Sequence, residues 1–209
     1  MQKLFARRKK YKTLDDKALV ALAAADKEAF GELYERYLTK MYNYVYYRTG
    51  NTHDAEDLTA KVFQRAMSHI GTYVDRGLPF QAWLYRIAHN LVANWHRDQG
   101  RRKIIALDDF VAHSLQSEAP DRWTEEQEEQ KQLLEAVRRL PEDRQQLLLL
   151  KFIEQLSNAE IGEIMGRTEG AVKSLYHRTL MALRKELQRQ EDISAARRLS
   201  GEADRRQSK

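Results

Sequence analysis

The sequence predicts an all-α fold: two small helical domains joined by a flexible acidic linker, the second containing a helix-turn-helix. Three observations lead to this prediction. The chain of 209 residues has only three prolines and nine glycines, and few β-branched runs. Apolar residues recur at helical spacing through most of its length. Between the two periodic parts lies a stretch without helical period that is rich in acidic residues.

Composition limits the classes of protein that need to be considered. The chain has no cysteine, which excludes disulfides and thiolate metal sites and suits a cytoplasmic location. Its formal net charge of +5 suits an acidic partner, most simply nucleic acid. The basic residues 1–11 and the apolar residues 18–25 superficially resemble a signal peptide, but Asp15, Asp16 and Lys17 separate them. No stretch approaches the roughly 20 apolar residues of a membrane span, so we expect no membrane insertion.

Residues 12–103 are predicted to form the first domain, which begins with two helices after the basic N-terminal extension, residues 1–11. Asp15 caps the first helix, which runs to about residue 25. Asp26 caps the second helix, which runs to about residue 48 and stops at the sequence Thr-Gly-Asn.

Two further helices complete the predicted first domain. The third runs from about residue 53 to residue 70, with a buried stripe at helical spacing formed by Ala55, Leu58, Val62 and Ala66. The fourth has Pro79 at or near its first turn, which is a favoured place for proline. Its inner side is formed by Phe80, Leu84, Ile87 and Leu91.

The predicted linker, residues 104–122, runs into an acidic helix start. Between Asp108 and Glu129 there are eight acidic residues and a single arginine. The second domain, residues 123–188, opens with a capping box of Thr124 and Gln127. A further helix starts at Pro141, and the sequence LLLLKFI supplies its buried core. The charged tail, residues 189–209, is expected to be disordered.

Two capped helices with a tight glycine turn are predicted near the end of the second domain. Ser157 and Glu160 form a capping box, so a short helix begins at residue 158. Gly166 supplies the left-handed residue that ends it, and Thr168 caps the next helix. Gly162 is small where the second helix would pass close over the first. This pattern predicts a helix-turn-helix.

The outer face of that second helix is polar, short or basic. From Arg167 to Arg189 there are six Lys or Arg against two Glu, which suits a polyanion. A structural helical hairpin with a solvated basic face is the alternative. The residues that would meet base edges and phosphates are Arg167, Thr168, Lys173, Ser174, His177 and Arg178.

The fourth helix of the first domain interleaves aromatic side chains with basic and amide ones. Aromatic rings accept unstacked bases while cations hold phosphates, so this pattern suits single-stranded nucleic acid. The alternative is a core helix with packed tryptophans and a solvated basic end. The acidic start of the third helix, with Asp54, Glu56 and Asp57, complements the helix dipole and could also dock a basic partner.

Three segments, in this order, resemble the sigma factors of bacterial RNA polymerase. They are HDAEDLTAKVFQRAM, residues 53–67, then LPFQAWLYRIAHNLVANWHRDQGRR, residues 78–102, and beyond the acidic linker LPEDRQQLLLLKFIEQLSNAEIGEIMGRTEGAVKSLYHRTLMALRKEL, residues 140–187. The pattern is similar to the compact extracytoplasmic-function type, which has only the second and fourth conserved domains. The resemblance covers roughly residues 12–188.

The resemblance implies a role for each group of residues. The first domain would be sigma domain 2 and the second sigma domain 4, whose helix-turn-helix reads the minus-thirty-five element. Residues 71–79 would capture a flipped base of the minus-ten element, since extrusion exposes a base edge that stacking hides. Minus-ten recognition and melting would fall to Gly71, Thr72, Tyr73, Trp83, Arg86, Asn90, Asn94, Arg97, Arg101 and Arg102. Docking on core polymerase would fall to Asp54, Glu56, Asp57 and Leu58.

The resemblance also implies the partners: core RNA polymerase, promoter DNA and an anti-sigma factor. It implies no catalytic residue, metal, cofactor or small-molecule substrate, because such a protein is a promoter-specificity subunit that aids strand opening. One alternative is a stand-alone helix-turn-helix regulator with an N-terminal ligand or dimerisation domain. Another is an enzyme, since His53-Asp54 is a dipeptide of metal-dependent phosphohydrolases and His69, His89 and His96 could complete a site. A single dipeptide arises often by chance, which counts against the enzyme.

Overall fold

The computed structural model describes residues 11–75, 77–99 and 125–207, with side chains in the last range described mainly between residues 131 and 190. Every regular element within these residues is a helix, which confirms the predicted all-α fold. No helix among them combines the length and apolar character needed to cross a membrane. The predicted linker, Thr124 of the predicted capping box, Arg101 and Arg102 lie outside the described residues.

The first part of the chain folds into four α-helices and a short 3-10 turn. They are α1 (Asp16–Ala23), α2 (Lys27–Thr49), α3 (Thr52–His69), the 3-10 turn (Ile70–Thr72) and α4 (Phe80–Gln99). Each predicted helix is present, with the ends displaced by no more than about two residues, which is the usual ambiguity of helix termini.

Side-chain caps fix where these helices start and stop. Asp15 accepts a hydrogen bond from the backbone N–H of Ala18 at 2.8 Å, as predicted for the cap of α1. Helix α2 ends at Gly50, whose φ of 65° is the left-handed conformation that glycine adopts without strain. Asn51 then caps α3, so only two residues join α2 to α3.

The core between these helices is apolar and aromatic. All four residues of the predicted α3 stripe are buried, and three of the four predicted for α4 are buried while Ile87 is partly exposed. Tyr44 of α2 and Tyr85 of α4, both fully buried, meet edge to face with ring centroids 5.2 Å apart. The α3–α4 loop therefore joins two helices that both contribute side chains to this core.

The later part of the chain contains four more helices and one π-helical turn. They are α5 (Glu125–Arg138), α6 (Glu142–Leu148), the π-turn (Leu149–Ile153), α7 (Asn158–Met165) and α8 (Glu169–Gln207). Leu147, Leu148, Leu149 and Leu150 are buried, as predicted for the LLLLKFI stretch, whereas Phe152 is 58% exposed. A π-helical turn holds one residue more than an α-helical turn. Phe152 therefore lies on a different face from the one that a regular α-helix would give it.

The end of α8 differs from the expectation of a disordered tail over residues 189–209. The helix continues to Gln207. Most residues between 189 and 207 are Ala, Leu, Arg, Glu or Gln, which have high helix propensity. Because extension of an existing helix avoids the cost of nucleation, local propensity is sufficient to prolong it.

The chain divides into two compact units. The first comprises Met1–Ala106 with Leu150–Val172, and the second comprises Leu107–Leu149 with Lys173–Lys209. In the first unit α7 packs against α4. In the second unit Arg139, which lies between α5 and α6, forms an ion pair with Glu186 of α8 at 2.6 Å. Arg189 of α8 pairs with the same carboxylate at 2.8 Å. The domain limits expected from the sequence, residues 12–103 and 123–188, stay a prediction.

Candidate nucleic-acid interface

Three aromatic rings form a cluster where the α3–α4 loop meets the start of α4; we call Tyr73, Phe80 and Trp83 the aromatic floor. The Trp83 centroid lies 5.2 Å from that of Tyr73 and 5.4 Å from that of Phe80. Phe80 is buried and also packs edge to face on Tyr37 of α2 at 5.8 Å. The floor is thus anchored in the core, while Tyr73 and Trp83 remain partly exposed.

The aromatic floor borders a cavity of about 220 Å³, which we call the loop cavity. It is lined by Thr72, Tyr73, Val74, Leu78 and Pro79 of the loop, by Trp83 and Arg86 of α4, and by Glu163 of α7. This volume is below the roughly 300–1,000 Å³ of pockets that hold cofactors and drug-sized ligands. A single planar group between an aromatic side chain and a guanidinium suits its size and chemistry.

The loop that forms one wall of the cavity is braced by Asp75. One carboxylate oxygen accepts the backbone N–H of Gly77 at 2.9 Å, and the other pairs with the Lys17 ammonium of α1 at 3.2 Å. These contacts lower the pKa of the exposed Asp75 carboxyl. Burial, and then the charge of Asp75, raise the pKa of Tyr73. Its hydroxyl donates to the Leu78 carbonyl oxygen at 3.4 Å, which also ties the loop together. Gly77 has a φ of 80°, which other residues rarely adopt.

Helix α4 presents the remaining predicted minus-ten residues on one face. Arg86, Asn90, Asn94 and Arg97 follow one another at helical spacing, and Arg86, Asn90 and Arg97 are exposed. The Arg97 guanidinium donates to the Asn94 side-chain oxygen at 2.8 Å. Gly71 and Thr72 are exposed in the 3-10 turn beside the cavity.

The helix-turn-helix is present at the predicted position. Ser157 and Glu160 form the reciprocal capping box, with hydrogen bonds of 3.2 and 2.7 Å. Gly166 ends α7 with a φ of 65°. A Cβ added at Gly162 would lie 2.6 Å from the carbonyl oxygen of Arg167. The close neighbour of Gly162 is therefore the backbone of the turn, whereas the sequence suggested the second helix itself.

All six residues predicted to read duplex DNA are exposed. The Thr168 hydroxyl accepts the backbone N–H of Ala171 at 3.2 Å and so caps α8, as predicted. On α8 the exposed candidates recur at helical spacing and share one face: Lys173, Ser174, His177 and Arg178. The opposite face is buried through Val172, Leu175 and Thr179.

Sequence comparisons match both parts of the chain to one family. Residues 33–102 match sigma-70 region 2, and residues 130–183 match sigma-70 region 4. The ECF RNA polymerase sigma factor BldN of Streptomyces coelicolor is 38% identical over 160 residues, which are 77% of this chain and 61% of BldN. The ECF RNA polymerase sigma factor SigW of Bacillus subtilis is 31% identical over 182 residues, which are 82% of this chain and 95% of SigW. The chain belongs to the ECF sigma factors of RNA polymerase.

Solved structures agree with this membership at the level of the fold. CnrH, in complex with the cytosolic domain of CnrY, is 22% identical, with a TM-score of 0.58 and coverage of 83% of this chain and 97% of that one. The sigma factor RpoE of Bartonella quintana, in complex with the anti-sigma factor NepR, is 18% identical, with a TM-score of 0.55 and coverage of 76% and 96%. The role that belongs to this family is that of a promoter-specificity subunit.

The acidic start of α3 in this sigma factor is only partly available for docking. Glu56 and Asp57 are exposed and Asp54 is partly exposed. Leu58, in contrast, is 4% exposed, because it lies between Ala55 and Val62 on the stripe that faces the core. Leu58 therefore packs in the core, and its contact with core polymerase, as expected from the resemblance, stays a prediction.

Two acidic residues of the site were missed by sequence reasoning. Arg86 donates to the Glu163 carboxylate, and the Tyr85 hydroxyl donates to the Glu154 carboxylate. Partial burial raises the pKa of Glu154 to about 7, although the Tyr85 hydrogen bond and the Lys40 charge act in the opposite direction. Burial, together with the Glu154 charge, raises the pKa of Tyr85. No local sequence pattern marks these pairs, whose members are 77 and 69 residues apart.

The histidines of the enzyme alternative have different surroundings in the described part of this sigma factor. His53 and His69 are exposed, while His96 is 3% exposed and its ring meets that of Trp95. Within the described residues no group of three or more His, Cys, Asp or Glu side chains could hold a metal ion.

Proposed function

We propose that this sigma factor binds core RNA polymerase in the cytoplasm, directs it to promoters through their minus-ten and minus-thirty-five elements, and aids strand opening, without catalysis of its own. One observation carries the proposal: a single chain contains regions 2 and 4, an aromatic-floored cavity with an arginine in the first, and an exposed basic helix-turn-helix in the second. This chain spans only 61% of the length of BldN, so the activities of the whole BldN protein are not assigned to it.

In the proposed mechanism the loop cavity receives one base of the minus-ten element after that base leaves the stack. The ring of Trp83 offers a surface on which the base can stack, and base–aromatic stacking is worth about 1–3 kcal/mol. The Thr72 hydroxyl donates to the His69 carbonyl oxygen at 2.9 Å, so it can accept a hydrogen bond from the exposed base edge. The cost of unstacking, a few kcal/mol, is thus offset within the cavity.

The exposed face of α4 then follows the strand away from the cavity. Arg86 and Arg97 are suited to phosphates, and Asn90 and Asn94 can donate to and accept from base edges or sugars. Arg101 and Arg102, beyond the described end of α4, would continue this contact. Binding of one strand by this face would draw it out of the duplex and so favour melting.

The second proposed contact is with duplex DNA at the minus-thirty-five element. Lys173, Ser174, His177 and Arg178 share the exposed face near the start of α8, where a recognition helix reaches base edges in the major groove. Arg167 and Thr168 lie in the turn before it, where contacts to phosphates are usual.

The proposed protein partners are core polymerase and an anti-sigma factor. Asp54, Glu56 and Asp57 form an acidic group at the start of α3 that suits a basic partner, and we assign core docking to it. The solved structures of CnrH and of Bartonella RpoE are complexes with CnrY and with NepR. By analogy with the NepR complex, we assign this chain an anti-sigma partner.

Run-off transcription tests the proposal. Fragmented genomic DNA of the source bacterium is transcribed by purified core polymerase with and without this chain. New discrete transcripts that share two spaced upstream elements are the expected result. If no new transcript forms and the bare protein binds duplex DNA tightly, the protein is instead a stand-alone regulator, and the proposal is wrong.

A further inference from the structure

A second cavity lies between α1 and the α3–α4 loop, and we call it the α1 cavity. Its volume is about 520 Å³, compared with about 220 Å³ for the loop cavity, and it lies within the roughly 300–1,000 Å³ of sites for small molecules. Its walls are mainly apolar, and they include Val20 and Ala21 of α1, Leu78 and Pro79 of the loop, and Phe80 of α4. The proposed contacts with promoter DNA leave this cavity unused.

An ion pair between Lys17 of α1 and Asp75 of the loop lines the α1 cavity. The Lys17 Nζ atom lies 3.2 Å from Asp75 Oδ2, while Asp75 Oδ1 accepts the backbone N–H of Gly77 at 2.9 Å. The Lys17 side chain is 83% exposed, and such an exposed pair contributes little to stability. Lys17 can therefore turn into water at little cost, and its ammonium marks a place where Asp75 binds a cation.

The other carboxylate described in the lining also suits a cation. Asp16 is held by the Arg36 guanidinium at 2.9 Å and by the Tyr37 hydroxyl. An anion in the cavity would meet both Asp16 and Asp75, whereas a cation would meet one ammonium that can swing away. Because the walls are mainly apolar, a charged ligand group must reach a carboxylate to offset its loss of hydration.

We propose that the α1 cavity binds a small organic cation, namely an amine with an aromatic or branched alkyl body. The ligand's ammonium takes the place of the Lys17 ammonium on Asp75, and its three N–H donors bond the carboxylate and water at once. The body of the ligand lies against Val20, Leu78 and Phe80, where its apolar surface leaves water.

The α1 cavity and the loop cavity share a wall, because Tyr73, Leu78 and Pro79 line both of them. An amine in the α1 cavity contacts one side of this wall, and a captured base contacts the other. A ligand that joins α1 to the loop holds the loop in its described conformation, and such preorganisation lowers the entropy lost on binding. This consequence rests on the proposed function, and it predicts that the amine strengthens promoters that depend on the minus-ten element.

Titration of the full-length, isotope-labelled chain, followed by nuclear magnetic resonance, tests the site. Three probes share an aromatic body and differ in the head group: phenethylamine is a cation, phenethyl alcohol is neutral and phenylacetate is an anion. The Gly77 amide, whose N–H donates to Asp75, reports binding through its chemical shift. We expect phenethylamine to saturate with a Kd on the order of 1 mM, as is usual for a ligand of this size, and the other probes to bind about fivefold or more weakly.

Variants of the lining separate this site from binding elsewhere. Asp75→Asn keeps an oxygen for the Gly77 N–H but loses the charge, and it should weaken phenethylamine binding about fivefold or more. Lys17→Ala removes the competing ammonium and should bind at least as tightly as the wild type. Ala21→Phe fills the cavity from an exposed position of α1 and should abolish binding. Glu35→Gln is the matched control, since it removes an exposed carboxylate of α2 that does not line the cavity.

Arg76, between Asp75 and Gly77 in the sequence, lies outside the described residues and has its own control. Loss of a cation does not weaken a site for cations, so Arg76→Ala should bind phenethylamine at least as tightly as the wild type. A loss of affinity in Arg76→Ala equal to that in Asp75→Asn would mean that any change in the loop disturbs the cavity. That result would overturn the proposal.

Three further results refute the site. The first is that phenethylamine gives no saturable shift at about ten times the expected Kd. The second is equal affinity for the three probes, which would show that no carboxylate selects the ligand. The third is wild-type affinity in Ala21→Phe, folded as judged by circular dichroism, which would place the amine elsewhere.

Run-off transcription with core polymerase separates this inference from the proposed function. If the chain directs transcription, saturating phenethylamine should raise the output of minus-ten-dependent promoters about fivefold in the wild type and not in Ala21→Phe, which is the lower end of usual allosteric couplings. Binding without this difference refutes the effect on the loop. If no form of the chain directs transcription but the amine binds at Asp75, the promoter role is wrong and the binding site stands.

Discussion

The hydroxyl of Tyr85 in α4 donates a hydrogen bond to the carboxylate of Glu154, which lies 69 residues further along the chain. Tyr85 is fully buried, so the carboxylate it engages is held partly out of water. As a result the pKa of Glu154 rises to about 7, well above the usual value of 4.5 for glutamate. A proton is therefore part of this contact near neutral pH.

The free energy of unfolding should depend on pH through Glu154. The folded chain binds the Glu154 proton more tightly than the unfolded chain, so between pH 4.5 and about 7 the folded state carries more protons. Stability then falls as pH rises through this window and becomes constant above it. We expect a loss of roughly 1–3 kcal/mol, measured by urea denaturation across this range.

Glu154→Gln is the control for this pH dependence. Glutamine can still accept the Tyr85 hydroxyl but does not titrate, so the part of the slope due to Glu154 should vanish. The difference between the wild type and the variant isolates this group from all other carboxyls. Parallel curves for the two proteins across the window would show that Glu154 titrates normally.

Replacement of Gly162 should damage the helix-turn-helix. In Gly162→Ala the new methyl group would meet the Arg167 carbonyl oxygen at 2.6 Å, and a backbone atom cannot rotate away. We expect a loss of about 1–3 kcal/mol in urea denaturation.

Gly170→Ala is the matched control for Gly162→Ala. Gly170 lies in the first turn of α8, and an added Cβ there has no neighbour within 4 Å. It should gain stability by about 0.5–1 kcal/mol, because alanine loses less entropy than glycine in a helix. A loss in both variants would mean that the effect at Gly162 is not due to the close approach.

Lys173→Ala and Arg178→Ala should each weaken promoters that depend on the minus-thirty-five element. Both residues lie on the exposed face of α8, and one contact to a base or phosphate contributes about 1–3 kcal/mol, or fivefold or more in binding. Transcription from paired promoters, with and without the element, measures the effect. Lys131→Ala removes the same charge from α5 and should leave promoter strength unchanged; full activity of both α8 variants would refute the assignment.

Charge reversal at Asp54→Arg with Asp57→Arg should impair binding to core polymerase while the helices remain folded. A basic partner surface would meet two positive charges in place of two negative ones, and repulsion of this kind costs several kcal/mol. Co-purification with core measures the binding. Glu35→Arg with Asp192→Arg changes net charge equally at exposed sites elsewhere, and normal co-purification of both double variants would disprove docking at α3.

Leu58→Ala distinguishes packing from docking at the same helix. Leu58 is buried on the core stripe of α3. Its truncation should lower the free energy of unfolding by about 2–5 kcal/mol, as measured by urea denaturation. Binding to core should persist at temperatures where the variant is folded.

Helix boundaries could be predicted because their determinants are local. Asp15, Asp26 and Ser157 cap helices through hydrogen bonds within two or three residues, and Gly50 and Gly166 end helices through their own φ. Periodicity also identified the buried stripe of α3. The candidate DNA-reading face of α8 followed from the same reasoning, because a helix buries one side and exposes the other.

The features that could not be predicted depend on residues far apart in the sequence. Nothing near Arg86 indicates Glu163, and the division of the chain into compact units depends on which surfaces meet after folding. Leu58 shows a different difficulty, since one residue satisfied both a core pattern and a family motif. Burial shows that Leu58 fulfils the core pattern, and burial is a property of the assembled helices.

The aromatic floor has an optical consequence. Trp83 is one of only three tryptophans in the chain, and it lines the loop cavity beside the charged Arg86 and Glu163. An indole in that position changes its emission when the neighbouring charges separate or when a base stacks on it. The protein thus has an intrinsic fluorophore at the place where promoter recognition is proposed to begin, and the state of the cavity can be followed in real time without attaching a dye.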